Sequence, residues 1–342
     1  MATTTPSEAA SAAPSLLSRV RVDYRILAGL AAIAVVMIIA YRWDSQQTTA
    51  VAARTIREAA PLILAALCGL VGERSGIINI GIEGQMLLAA FVGFMVASSS
   101  GSLILGVMGG MAAASAAGLF LAWTAVALKM DQIIAGTVIN IFGLGVTSFL
   151  YVQGRTMPSV PNWPVPGLED LPLIGSMLFS HGPLTYAALI AVVVVHVALF
   201  QTRWGLRTRA VGEHPSAADT VGVRVFLLRY RNLAIAGMLA GLAGFALLQS
   251  ASVFNRGMTN GKGFIALAVM IFGRYRPFGV LSAAVLFGFF NALQAQLQFR
   301  QAFDIPPQFF GMIPFVFTIA VLAVAGLRTR PPAAIGQPYE KE

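Results

Sequence analysis

The stretch Gly72-Glu-Arg-Ser-Gly-Ile-Ile-Asn-Ile-Gly-Ile-Glu-Gly-Gln85 sets Asn79 and Glu83 among apolar side chains. A charged group at the centre of a membrane helix costs about 2.5–3.5 kcal/mol on insertion scales, so Glu83 needs a polar cavity, a partner or the interface. Gly76, Gly81 and Gly84 permit a broken helix whose freed N–H and C=O groups face a solute. The alternative is a turn between spans, with Glu73 and Arg74 paired and Glu83 in the positive first turn of the next helix. Two polar stripes accompany this stretch. Thr137, Asn140, Thr147 and Tyr151 share one helical face, and Asn291, Gln294 and Gln298 share another. Neutral amides and hydroxyls suit an uncharged, hydroxyl-rich solute, because they donate and accept without holding an ion. The same groups also serve as glue between helices, at about 0.6–2 kcal/mol each. From position and pattern, Asn79, Glu83, Asn140, Asn291 and Gln294 are expected to line a solute pathway.

No catalytic set emerges. His181, His196 and His214 fall at different depths or sides of the layout given below, and neither a Gly-x-Ser-x-Gly motif nor a zinc spacing occurs. Gly261-Lys262 is followed by Gly263 and lacks the spaced upstream glycine of a phosphate-binding loop. Energy from ATP must therefore come through another subunit. The single cysteine, Cys68, allows neither an intrachain disulfide nor a thiolate metal site. No cofactor is expected.

These residues sit in a chain of 342 residues that is 57% apolar and only 11% charged, with a mean hydropathy of +0.76. Soluble domains carry about 25% charged residues, so a water-soluble enzyme and a disordered scaffold are both excluded, and lipid is the solvent. A span needs about 20 apolar residues at a rise of about 1.5 Å each. Ten are placed, near 24–41, 55–73, 77–98, 102–128, 133–152, 183–201, 232–253, 263–273, 277–298 and 310–327, the eighth being too short to cross as a regular helix. Sixteen of the 23 basic residues fall on one side of this layout, which makes that side cytoplasmic and puts both termini inside. The net charge of +9 is thereby accounted for without nucleic acid.

The fold class is thus an all-α polytopic membrane protein with a permease domain over 24–327. Residues 1–23, rich in Ala, Ser, Thr and Pro, read as a disordered cytosolic tail without a signal peptide, and 328–342 as a second cytosolic tail. Residues 153–182 form an external loop whose prolines block regular helix. Ten spans split five and five, and an odd number per half would give an inverted repeat around a midplane site. Gly106 with Gly110, and Gly237 with Gly241 and Gly244, suit close helix packing, with a hinge or subunit interface as the lesser reading.

Residues 202–231 form a long basic loop. Its middle, Ala210-Val-Gly-Glu-His-Pro-Ser-Ala-Ala-Asp-Thr-Val-Gly222, predicts a two-turn helix with Pro215 at its first position and Gly222 at its end. A short helix projecting from a membrane bundle is a docking element for a soluble partner, and Glu213, Pro215, Ala217, Ala218, Asp219 and Gly222 are its candidate contacts. Binding of lipid headgroups by the flanking arginines is the competing role. His214 reads as a capping or contact residue, since no second His or Cys lies near it.

On three blocks the chain resembles the permease subunits of ABC importers in the branched-chain amino acid, ribose and nucleoside group. They are Glu73–Gly84, Arg209–Gly222, and Gly261-Lys-Gly-Phe-Ile-Ala-Leu-Ala-Val-Met-Ile-Phe-Gly273. The likeness is nearest to the nucleoside- or guanosine-uptake type and to the shorter of the two permeases such systems carry. It spans about 55–327 and implies a type II importer fold. His214 stands where relatives often have Asn, and the N-terminal tail is longer than usual in the group. The resemblance implies that the middle block couples to a cytoplasmic ATP-binding subunit, beside a second permease subunit. An external solute-binding protein then delivers nucleosides or related simple sugars to a transporter in the bacterial inner membrane. Phe264 is expected as a stacking surface for a base. An ion-coupled secondary carrier is the alternative, with Glu83 and Glu58 as its only deep acids.

Overall fold

The structure is a computed structural model that describes residues 24–169, 174–249, 252–300, 306–316, 319 and 330–341. Asp44 opens the second helix by accepting the Gln47 amide on its side chain, and the chain then runs without a break through Thr, Ala and Leu to Glu73. The helices are α1 (Tyr24–Trp43), α2 (Ser45–Glu73), α3 (Ile82–Ser100), α4 (Leu103–Val126) and α5 (Gln132–Leu150), then α6 (Ile174–Leu178) and α7 (Pro183–Gln201). They continue as α8 (Arg203–Glu213), α9 (Pro215–Thr220), α10 (Val225–Leu248), α11 (Lys262–Phe272), α12 (Pro277–Arg300) and α13 (Pro307–Gly311). β1 (Trp163–Pro164) and β2 (Ser180–His181) pair antiparallel, with Trp163 opposite His181.

Among the described residues, seven helices are long and apolar enough to cross a membrane: α2, α3, α4, α5, α7, α10 and α12. The ten expected spans are therefore not all recovered. α1 follows the first expected span. α11, at 11 residues, has the short form expected of the eighth, and most of the tenth lies outside the described residues, as does the tail 1–23.

Three boundaries are corrected. The third span starts at Ile82 rather than 77, because residues 77–81 are an irregular bend. The seventh starts at Val225, seven residues inside the expected basic loop. The second extends back to Ser45, since Gln46, Thr48 and Thr49 continue a helix that hydropathy alone cannot register.

Burial orders the bundle. The apolar window of α2 is 89% buried, whereas those of α4, α5 and α7 are 28–33% buried. α2 is thus the axle, packed against α7, α10, α11 and α12, and large apolar side chains on the other three, such as Ile104, Ile141 and Val194, face outward. Pro61 sits inside α2, where its ring leaves the Arg57 carbonyl without a helical donor. The glycine stripes act in packing. A Cβ at Gly237 or Gly241 of α10 would stand 2.5 Å from α4 backbone atoms, and one at Gly106 of α4 would stand 2.7 Å from Ala97 Cβ. Any larger residue would force these helices apart.

One end of the bundle gathers the turns after α2, α4 and α11, the segment from α8 to α10, and residues 330–341. Arg74 Nη2 donates to the Tyr275 carbonyl at 2.8 Å, and its guanidinium lies over the Phe200 ring, as does that of Arg209. Glu73 shares a hydrogen bond with the Tyr275 hydroxyl rather than pairing with Arg74. The opposite end carries the largely extended 151–169 segment and the two-strand ladder. There the Tyr186 hydroxyl donates to the Trp163 carbonyl and accepts the His181 amide.

Candidate functional site

A bend inside a membrane bundle must satisfy its own backbone wherever packed side chains and lipid exclude water. Residues 75–81 do so with side chains of α5, and with Arg229 of α10 at the Ser75 carbonyl. Ile78 N–H donates to Gln132 Oε1 at 2.7 Å, and Gly84 N–H to Asn140 Oδ1 at 2.7 Å. The Asn140 amide nitrogen returns a bond to the Ile80 carbonyl at 3.0 Å. Asn79 and Gln85 are wholly buried and exchange amide bonds at 3.2 and 3.3 Å, with the Cys68 thiol beside them. Gly76, at φ +87°, makes the turn into the bend. A Cβ on Gly84 would collide with the backbone of Ile139 and Asn140, so the glycine seats α3 against α5.

Glu83 follows, in the first turn of α3. Its carboxylate accepts Gly261 N–H at 2.8 Å on one oxygen and Gly263 N–H at 2.6 Å on the other. These amides form the N-terminus of α11, where the helix dipole is positive and its first donors lack helical partners. Eleven residues rise about 16 Å, half of a hydrocarbon layer of about 30 Å. Phe272 ends α11 three residues before Tyr275, whose carbonyl accepts from Arg74 at the basic end, so Gly261 and Glu83 stand one α11 length, about half a span, in from that end.

Beside this clamp, Lys262 Nζ lies 2.8 Å from Glu58 Oε2, with side-chain exposures of 24% and 23%. Arg54 adds a looser contact at 3.8 Å. Phe264, two residues beyond Lys262, is 50% exposed. Glu58 and Glu83 stand out in the sequence as deep acids. Lys262 stands out there only as part of a Gly-Lys-Gly run, although a lysine opening a short apolar helix is itself the sign of an acidic partner.

The remaining expected groups lie elsewhere. The Asn291 amide donates to the Phe287 carbonyl of its own helix at 2.9 Å, and Gln294 is half-buried one turn further on. A different face of the same helix meets α2, where the Gln296 amide donates to Gln47 Oε1 at 3.3 Å. Thr137 and Thr147 bond carbonyls one turn back in their own helix, and Tyr151 packs on Phe254.

At the basic end, α8 and α9 form a helical pair. α9 spans Pro215–Thr220, with Pro215 in its first turn and Gly222 at φ +84° donating to the Asp219 carbonyl, as the sequence predicts. His214 occupies the junction, but its side chain makes no cap bond. α8 occupies the first part of the expected basic loop. Thr202 caps it by accepting Gly205 N–H, and Asn232 of α10 ties it down by accepting from Trp204 Nε1 and donating to the Thr208 hydroxyl. Ala218 is buried, while Glu213, Ala217 and Gly222 are exposed and Pro215 and Asp219 half-exposed. The Lys129 ammonium bonds Glu340, which holds that carboxyl below its ordinary range through the hydrogen bond first and the charge second.

A family model described as "Branched-chain amino acid transport system / permease component" matches residues 51–322. The chain is 36% identical over 305 residues to the guanosine ABC transporter permease protein NupQ of Bacillus subtilis, covering 84% of this chain and 95% of that protein. It is 35% identical over 296 residues to the nucleoside ABC transporter permease protein NupC of Lactococcus lactis, covering 82% and 93%. A second nucleoside ABC transporter permease protein of the same organism, NupB, is 24% identical over 298 residues, covering 78% of each chain. No solved structure matches the chain.

Proposed function

The chain belongs to the family of branched-chain amino acid transport system permease components, and from that premise we propose that it is the membrane-spanning subunit of an ATP-driven importer of nucleosides or related simple sugars. The observation that carries this reading is the ion pair Glu58–Lys262 beside a half-helix N-terminus at mid-depth. Charges cannot face hydrocarbon at that depth without large cost, so the pair opens on a polar passage or on a partner that closes one. Glu83 holds α11 in place, and Asn79 and Asn140 hold the bend that positions Glu83. Lys262 and Glu58 offer a donor and an acceptor to sugar hydroxyls, Phe264 offers a face to a base, and Asn291 and Gln294 supply neutral bonds along α12.

The chain carries no phosphate-binding loop, so the motor is a cytoplasmic ATP-binding subunit gripping the α8–α9 segment through Glu213, Pro215, Ala217, Asp219 and Gly222. A second permease subunit completes the passage, as the likeness to both NupC and NupB suggests, and an external solute-binding protein delivers the solute. The assembly sits in the lipid of a bacterial plasma membrane with both termini in the cytoplasm. Closure of the motor tilts α9 and the spans behind it as a rigid body, and the different affinities of the two states for solute and ATP drive the cycle. The test is uptake by the reconstituted assembly. Uptake should require ATP and persist with a protonophore present; abolition by the protonophore while ATP remains high would establish ion coupling instead.

A further inference from the structure

Terminal segments stay loose unless something ties them down, and residues 330–341 are tied at several points. Ala334 N–H donates to the Gly212 carbonyl at 2.9 Å, and Gly336 N–H to the Gly76 carbonyl at 3.0 Å. Ala333 N–H donates to Glu213 Oε2 at 3.1 Å. Tyr339 is 8% exposed, packed with Val211, Ala218, Val225 and Leu228, and its ring centroid lies 5.5 Å from that of Phe226. Lys341 stands 4.0 Å from Asp219, and Glu340 meets Lys129 at the turn into α5.

These partners belong to two different machines. Gly212, Glu213, Ala218 and Asp219 belong to the α8–α9 pair, whereas Gly76 begins the bend that leads to Glu83. The fit at Gly76 is close: a Cβ there would stand 3.2 Å from the Ala334 carbonyl and 3.0 Å from Arg229 Nη2, and the Arg229 Nε donates to the Ser75 carbonyl. Bend, α8 end and C-terminal segment thus make one packed unit. Beyond Glu83 the same chain of contacts reaches Gly261 and Gly263.

We propose that residues 331–341 are a strap that keeps α8–α9 in register with the bend at 75–81, so that displacement of α9 is carried to Glu83 and the N-terminus of α11. The strap is a positioning element and touches no solute. Its role in coupling rests on the transport reading; its mechanical role does not, and each has its own measurement.

The first measurement is amide hydrogen exchange on the full purified chain. Tyr339→Ala should speed exchange in 75–84 and 261–264 by about tenfold or more, and Tyr339→Phe, which keeps the packed ring, should speed it less. Loosening of 205–228 alone, with 75–84 and 261–264 unchanged, overturns the strap. Should Tyr339→Ala fail to fold, Glu340→Lys is read in its place. It should loosen the same two segments, and Lys129→Glu combined with Glu340→Lys should tighten them again; equal rates in the single and double variants overturn the proposal.

The second measurement is ATP hydrolysed per solute moved by the complete reconstituted assembly. Tyr339→Ala should raise that ratio by about threefold to tenfold with assembly intact. Hydrolysis and uptake falling together at a constant ratio would remove the coupling role. Absence of ATP-dependent uptake in the wild type would sink the importer reading, and the exchange result would still decide the strap.

Discussion

Lys262 and Glu58 are the residues whose loss should separate scaffold from passage. Breaking a fully buried ion pair costs about 3–5 kcal/mol. With about a quarter of each side chain exposed, solvent screening brings the expected loss for Lys262→Ala to about 1–2 kcal/mol. Lys262→Met combined with Glu58→Gln removes both charges and should restore the melting temperature. Uptake should stay depressed by about tenfold, because the passage has lost its donor and acceptor. Normal uptake in that double variant would make the pair scaffolding alone. Gly263→Ala probes the neighbouring clamp: its Cβ would stand 2.6 Å from Glu83 Cα, and overpacking of this kind costs about 1–3 kcal/mol. At this scale the sequence was half legible. Glu83 stood out because a carboxylate among Ile and Gly needs a reason, but its partners are backbone amides about 180 residues away in the chain, and an amide carries no signature in a sequence.

The bend between α2 and α3 shows what hydropathy can and cannot resolve in an element. Ile77, Ile78, Ile80 and Ile82 read as the start of a span, yet the chain stays irregular to Gly81 because Gln132, Asn140 and Gln85 meet its polar groups. Asn140→Ala strands the Gly84 N–H and the Ile80 C=O, at about 1–3 kcal/mol each. Asn140→Asp keeps the acceptor and loses the donor, so its melting temperature in detergent should fall between those of wild type and Ala. Equal melting of all three would mean the bend is held elsewhere. α8 is illegible in the sequence for the opposite reason: its arginines mark a loop on any apolar scale, while its helix is specified by the Thr202 cap and the Asn232 tether.

At the far end of the bundle, His181 closes the β1–β2 ladder with its ring buried and Nε2 bonded to the Met177 carbonyl at 2.7 Å. Burial holds its pKa below the ordinary 6.5, with the Met177 bond opposing and the Arg57 charge assisting. The opened loop therefore takes up the proton first. The ladder keeps its full stability above about pH 6.5 and loses it as the pH falls through the lowered value. Exchange at Val165, whose amide bonds the Phe179 carbonyl, should accelerate between pH 7 and 5 beyond the intrinsic chemistry. His181→Phe should abolish that excess.

Across the whole molecule, the basic residues predicted the convergence of turns at one end better than any local pattern did, because charge asymmetry is a property of the entire chain. The burial of the α8–α9 pair sharpens the docking proposal. Ala217 is exposed and Ala218 is 3% exposed, so Ala217→Trp should prevent co-purification of the ATP-binding subunit without altering the melting of the permease. Ala218→Trp should instead destabilise the pair with Val211 and Tyr339. Retention of the subunit by Ala217→Trp would place the grip elsewhere.

The buried thiol of Cys68, the single cysteine in 342 residues, has a practical corollary. With its sulfur shut away beside Asn79 and Gln85, the unaltered protein offers maleimides a silent background. Cysteines introduced one at a time along α12 or α9 can therefore be titrated without first deleting a native one. Any turnover condition that lets a small reagent reach residue 68 would in turn report that the kink beside it has come apart.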